Sequence, residues 1–247
     1  MMSKDIVYVK DLVKIYPNGI KGADGVSFNI KEGEVFGLIG PNGAGKTTIL
    51  RVIATVLQPT SGEVMVSGYD VVKEANMVRK IISYLPEDAG AYKYLTGLEF
   101  LEFIAKLYSH RETSIEKIIE EGIKISGLGE RLKEKIKSYS KGMLRRLLVA
   151  RTLMVNPVLA ILDEPTSGLD VVNAIQVRNS IKIYAKEKNV TVLMSSHNML
   201  EVEYLCDRVG IIYKGKMLAI GEPKELKESY EAQNLEEVFV KLIGRAL

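Results

Sequence analysis

A chain of 247 residues, 47% hydrophobic and 26% charged, is long enough for one large domain with an appended lobe. Its formal net charge of +3 is too small to argue for nucleic acid as a partner, and its one cysteine, Cys206, excludes an internal disulfide and suits a reducing compartment. The opening Met-Met-Ser-Lys-Asp has no apolar signal region. No run approaches the roughly 18 uninterrupted apolar residues of a spanning helix, so any membrane role is expected to come through a partner.

Residues 5–16 and 24–30 alternate weakly and are interrupted by Pro17-Asn18-Gly19 and Gly22; they read as short antiparallel strands. Tyr16 ends the first, either as a half-buried strand tyrosine or as an aromatic face for a planar ring. Val35-Phe36-Gly37-Leu38-Ile39 reads as a buried strand and runs into Gly40-Pro41-Asn42-Gly43-Ala44-Gly45-Lys46-Thr47-Thr48, which fits G-x-x-x-x-G-K-[ST]. Ile49, Leu50, Ile53, Ala54 and Leu57 follow at helical spacing. The glycines therefore sit on a strand-to-helix turn, where backbone N–H groups and the positive end of the helix dipole converge on one point. Lys46 brings a compact charge to the terminal phosphates of a nucleotide, and Thr47 a hydroxyl for Mg²⁺.

After the turn at Gln58-Pro59-Thr60-Ser61-Gly62, residues 64–66 and 81–85 read as strands. The second stops at Pro86-Glu87-Asp88, an acidic pair that suits either a metal or water contact or a solvated loop. From 92 to 156 the pattern is helical, with capping-box patterns at Thr96-Gly97-Leu98-Glu99 and Thr113-Ser114-Ile115-Glu116. An all-helical insertion between strands predicts a lobe with its own core, and Tyr92, Tyr94, Phe100 and Phe103 read either as part of that core or as an interface for a partner. Ser140 is a suitable N-cap for a helix through Leu153, which makes a second anion-binding helix start. Arg145, Arg146 and Arg151 read as a solvated or salt-bridged face.

Val158-Leu159-Ala160-Ile161-Leu162 is a continuous apolar run, hence a central strand buried on both faces. It ends in Asp163-Glu164-Pro165, at the sheet edge where such folds bind ligands. Asp163 is the candidate Mg²⁺ holder and Glu164 the candidate for polarising an attacking water. Asp170 caps the next helix. Val190-Thr191-Val192-Leu193-Met194 is another buried strand, ending in Ser195-Ser196-His197, and His197 is placed to donate to a γ-phosphate. His110 lies in a polar loop and takes no role. A hairpin over 210–220 and a helical tail from Pro223, with Leu235, Val238, Phe239 and Leu242 on one face, close the chain.

Over residues 5–221 the whole set resembles an ABC-type ATPase, the nucleotide-binding subunit of ABC transporters. The landmarks stand in family order: Tyr16 as the adenine-stacking aromatic, the Walker A loop 40–48, a Q-loop at Glu87 and a signature at 139–143. The Walker B strand 158–164, a D-loop at 167–170 and an H-loop at His197 follow. The implied fold is α/β. It has a P-loop NTPase core with a mostly parallel central sheet, an N-terminal antiparallel β subdomain (core parts 1–91 and 157–221), an inserted α-helical lobe (92–156) and a helical tail (222–247).

The resemblance implies ATP and Mg²⁺ as ligands and a head-to-tail dimer with itself or a paralogue. It also implies a separately encoded membrane-spanning permease, which would hold the chain at the cytoplasmic face of the membrane. Ser140, Gly142 and Asp170 would then reach the ATP held mainly by the other subunit. Lys46, Thr47 and the rest of Gly40, Pro41, Asn42, Gly43, Ala44, Gly45 and Thr48 would cradle the chain's own ATP. Glu164 would be the general base, with Thr47, Asp163 and Glu87 toward the metal. Glu87 stands where the family usually has glutamine, and Tyr-Ser-Lys-Gly-Met where it has Leu-Ser-Gly-Gly-Gln. Both departures, and the tail Asn-Leu-Glu-Glu-Val-Phe, are similar to the drug- and antibiotic-exporter branch. The alternatives are an ATPase acting on DNA or ribosomes, without the coiled-coil insertion or second cassette usual there, and a nucleotide-gated module with little turnover.

Overall fold

The computed structural model describes residues 5–108 and 114–246. Strands β1 (Asp5–Ile15) and β2 (Lys21–Lys31) pair antiparallel, and β1 also pairs antiparallel with β4 (Ser61–Val66). With β5 (Tyr69–Asp70) they form one sheet in the order β2-β1-β4-β5. Gly22 does not interrupt the second strand. A Cβ there would sit 2.7 Å from the Thr48 hydroxyl and 2.8 Å from the Tyr16 ring, so the glycine keeps space open where two segments meet.

The second sheet holds β3 (Val35–Ile39), β6 (Ile82–Leu85), β7 (Leu159–Asp163), β8 (Thr191–Ser196), β9 (Arg208–Tyr213) and β10 (Lys216–Gly221), in the order β10-β9-β3-β8-β7-β6. All its neighbours are parallel except β10, which returns antiparallel on β9. Every residue of β3, β7 and β8 is buried, including the polar Asp163, Ser195 and Ser196 at the ends of β7 and β8; the apolar stretches before them suit strands covered on both faces.

Helix α1 (Lys46–Ile53) leaves β3. Its Ile49, Leu50 and Ile53 pack with Leu12, Ile30, Phe36 and Leu38 into a core between the two sheets. Phe28 stacks on Phe36 across that core at 5.4 Å. Helix α2 (Ala75–Ile81) replaces the start of the expected strand, which begins at Ile82. It buries only Val78, so its apolar period is too faint to read from sequence.

The insertion between β6 and β7 consists of α3 (Gly97–Leu107), α4 (Ile115–Ser126), two short 3₁₀ turns (Gly129–Lys133, Ile136–Ser138) and α5 (Lys141–Leu153). Thr96 and Glu99 form the expected capping box. The Ser114 hydroxyl caps α4, accepting from the Lys117 N–H; the second box expected from Thr113, like His110, lies outside the described residues. Leu101, Leu147, Leu148 and Leu153 join this lobe to the core beneath it. Of the four aromatics read as lobe core or interface, only Phe100 is buried. Tyr92, Tyr94 and Phe103 are exposed, with Tyr92 edge-on to Phe103 at 5.6 Å.

Helix α6 (Val171–Lys188) follows β7, and α7 (Met199–Leu205), unanticipated from sequence, follows β8. The tail is two helices, α8 (Pro223–Ser229) and α9 (Leu235–Ala246); Leu235, Val238 and Leu242 are buried, and Phe239 meets Tyr213 edge-on. Among the described residues no helix is long and apolar enough to cross a membrane. Cys206 is a buried thiol, pushed well up by desolvation.

Candidate active site

The turn from β3 into α1 opens a cleft of about 380 Å³. Pro41, Asn42, Gly43, Ala44, Gly45, Lys46, Thr47 and Thr48 line it, with Tyr16, Ile20, Lys21 and Gly22 from the antiparallel sheet and with Glu87 and Glu164. Gly45 has φ +111°, and a Cβ there would fall 2.2 Å from the Gly22 carbonyl oxygen, so no other residue lets the loop pass here. Gly45 also occupies the N-cap of α1 and supplies no side-chain acceptor. The first N–H groups of that helix are thus left for an anion. Tyr16 is half-buried, and its hydroxyl lies 3.0 Å from the Thr48 hydroxyl. The part played by Ile20, Lys21 and Gly22 has one sequence signal: the Pro17-Asn18-Gly19 turn folds them back beside Tyr16.

Lys46 is buried and donates to the carbonyl of Gly40 at 2.7 Å and that of Pro41 at 3.3 Å. Its ammonium also pairs with Glu164 Oε1 at 3.3 Å. Glu164 Oε2 is 2.8 Å from His197 Nδ1, so the base candidate sits between a cation and an imidazole. Glu164 has φ +49°, a left-handed conformation costing of order 1 kcal/mol for a residue with a side chain. Its neighbours hold it there: the Glu164 N–H donates to Ser195 Oγ at 2.9 Å, and Ser195 Oγ in turn donates to Asp163 Oδ1 at 2.6 Å. Ser195 was not singled out in the sequence, although it stands two residues before His197 on the same strand end.

Asp163 is fully buried. Oδ1 also accepts from Thr47 Oγ1 at 3.2 Å, whereas Oδ2 has no hydrogen-bond partner. A buried carboxylate oxygen with nothing to satisfy it, beside a threonine hydroxyl, is a donor set that fits a hard divalent cation. Among the described residues no group of three His, Cys, Asp or Glu side chains could hold an ion by itself. Glu87 is exposed on the rim of the cleft.

Ser140, Gly142 and Asp170 do not line this cleft. Ser140 caps α5, its hydroxyl accepting from the Met143 N–H at 3.2 Å. Asp170 caps α6 by accepting from the Asn173 N–H, and these bonds hold its carboxyl below its usual range. Gly142 lies against Asn173, so the two helix starts form one surface separate from the phosphate loop. Lys141 is exposed.

The three arginines of α5 are not a solvated face. Arg145 is 7% exposed and donates to five main-chain carbonyls. Arg146 donates to the carbonyls of Ser126 and Gly127, and Arg151 to that of Tyr84. Carbonyls at strand and helix ends need donors, and long cationic side chains reach them from a neighbouring element. Desolvation holds Arg145 below the usual arginine range, opposed by the nearby Glu87, Asp163 and Glu164.

Behind Glu164, Glu201 on α7 is buried and accepts from the Thr166 hydroxyl at 2.6 Å and from Ser196 Oγ at 3.1 Å. Burial pushes its carboxyl up, against the lowering effect of those two donors and of Arg178. The folded chain therefore binds more protons at this site than the unfolded chain, and the contribution to stability is lost as pH rises through the raised value. The Glu201→Gln variant has no such titration. Its melting temperature relative to the native chain is expected to rise as pH goes from about 4.5 toward 7. Parallel melting profiles over that window would contradict this.

A family model described as ABC transporter matches residues 23–167. The linearmycin resistance ATP-binding protein LnrL of Bacillus subtilis (strain 168) is 39% identical over 222 residues, 90% of this chain and 71% of that protein. The bacitracin transport ATP-binding protein BcrA of Bacillus licheniformis is 39% identical over 214 residues, 86% of this chain and 68% of that protein. A solved dimeric ATP-binding cassette, in a post-hydrolysis state bound to ADP and Pi, superposes with a TM-score of 0.78 at 27% identity, covering 87% of this chain and 98% of that one. The chain belongs to the ABC transporter family, as an ATP-binding and ATP-hydrolysing subunit.

Proposed function

We propose that this subunit drives export of a drug-like or antibiotic substrate through a separate membrane-spanning partner, from the cytoplasmic face of the membrane. The observation that carries the reading is the pair of relatives named for antibiotic resistance and transport, at 39% identity over most of the chain. The exposed Tyr92 and Tyr94, next in sequence to the Glu87 loop, offer a docking surface for that partner.

In this reading the adenine stacks on Tyr16, and the loop 40–48 encloses the phosphates, with main-chain N–H groups offered by the residues from Asn42 onward. Lys46 leaves Glu164 to meet the terminal phosphates. Thr47 and Asp163 would hold Mg²⁺, with Glu87 toward it from the rim, and the ion would supply charge neutralisation at the phosphates. Glu164 accepts the proton of the attacking water, and most of the remaining catalysis is positioning and electrostatics. With Nδ1–H given to Glu164, the neutral His197 ring keeps only a lone pair on Nε2. It donates to the γ-phosphate as imidazolium, or once Nδ1 has left Glu164. Because Ser140, Gly142 and Asp170 stand apart from the cleft, they serve the ATP of a second copy of this chain in a head-to-tail dimer.

Affinity purification of the tagged chain from detergent-solubilised membranes of its native host, followed by mass spectrometry, tests the partner. A co-purifying multi-spanning protein is expected. Recovery of ribosomal or nucleic-acid-associated proteins alone would leave the ATP site standing and remove transport.

A further inference from the structure

Arg145 gathers three separated pieces of the chain onto one guanidinium. Nε donates to the Pro165 carbonyl at 2.8 Å. Nη1 donates to the carbonyl of Glu87 at 3.0 Å and to that of Pro86 at 3.5 Å. Nη2 donates to the carbonyl of Asp163 at 2.9 Å and to that of Glu164. Pro86 and Glu87 follow the end of β6; Asp163 ends β7, with Glu164 and Pro165 just after it; and Arg145 itself rides on α5, whose cap is Ser140. A planar fork with five N–H donors can serve five acceptors at once, which a lysine ammonium cannot. Burying a guanidinium is costly, and at this site the cost is offset by carbonyls rather than by a fixed ion pair.

We propose that Arg145 is a positioning residue for ATP hydrolysis. It fixes the main chain of Glu164 to the signature helix on one side and to the Glu87 loop on the other. Glu164 needs that support, because its left-handed backbone is held from the amide side by Ser195 and from the carbonyl side by Arg145. A shift of α5 or of the Glu87 loop therefore moves the carboxylate that faces Lys46 and His197. Displacements of about 1 Å at a reacting group cost up to roughly 10²-fold in rate.

The inference rests on Glu164 being the general base, and the test separates the two claims. Arg145→Lys keeps the charge but not the fork. Turnover is measured per nucleotide-binding site, counted by titration with a fluorescent ATP analogue, so that misfolded molecules do not enter the rate. The expected result is kcat per site lowered about 10-fold or more, with KM and Kd for ATP within about 3-fold. A purely structural role would lower the number of sites and leave kcat per site unchanged; kcat per site within about 2-fold of the native value would overturn the proposal. Glu164→Gln in parallel reads the base assignment alone. If it is inactive while Arg145→Lys is normal, only the positioning role falls; if it turns over normally, the base assignment falls first.

Discussion

Glu164→Gln is expected to lower ATP turnover by about 10²- to 10⁴-fold, the usual contribution of a positioned proton acceptor. Glu164 lines the cleft, its carboxylate is buried, and its two oxygens face Lys46 at 3.3 Å and His197 at 2.8 Å. Glutamine keeps the shape and can still accept a hydrogen bond, but it cannot take a proton from water. The substitution has a second consequence. In the native chain Glu164 competes with phosphate for Lys46, so its neutral analogue frees the lysine. ATP affinity in the variant is therefore expected to equal or exceed the native value, and equilibrium binding beside a phosphate-release assay reads both effects. Turnover within about 5-fold of native would remove Glu164 as the base.

Lys46→Met is expected to weaken ATP binding by roughly 10²-fold, since losing one partner of a desolvated charge pair costs about 3 kcal/mol and each 1.4 kcal/mol is a factor of ten. Stability falls as well, because Glu164 then keeps a buried charge with His197 as its remaining side-chain partner. Lys46→Met combined with Glu164→Gln removes the orphaned charge, so the double variant is expected to melt above the single one without recovering ATP affinity. Filter binding with labelled ATP and thermal unfolding measure the two parts. An Lys46→Met chain that binds ATP like the native one would show that the lysine serves Glu164 rather than phosphate.

The central sheet was legible because β3, β7 and β8 are built on short, mainly apolar stretches, and the residues the site needs stand at or just beyond their ends. Caps were legible for the same local reason: Thr96, Ser140 and Asp170 each accept from an N–H three residues on. Two short helices escaped, α2 because it buries one side chain and α7 because its 7 residues are too few for the spacing of Met199, Val202 and Leu205 to stand out. The inward course of Arg145 was illegible for a different reason. Its acceptors are carbonyls some 20 and nearly 60 residues away, and main-chain acceptors carry no residue signal. The pairing of Lys46 with Glu164 is likewise a contact between the start of α1 and the residue just after β7, set by sheet order rather than by either motif.

If ATP joins two copies of this chain, each completing the other's site with Ser140, Gly142 and Asp170, the Glu164→Gln chain doubles its mass on binding nucleotide. Light scattering of that variant is expected to give one chain's mass without ATP and Mg²⁺ and twice that mass with them. A variant saturated with ATP that keeps the mass of a single chain at high concentration would show that this chain does not pair with itself.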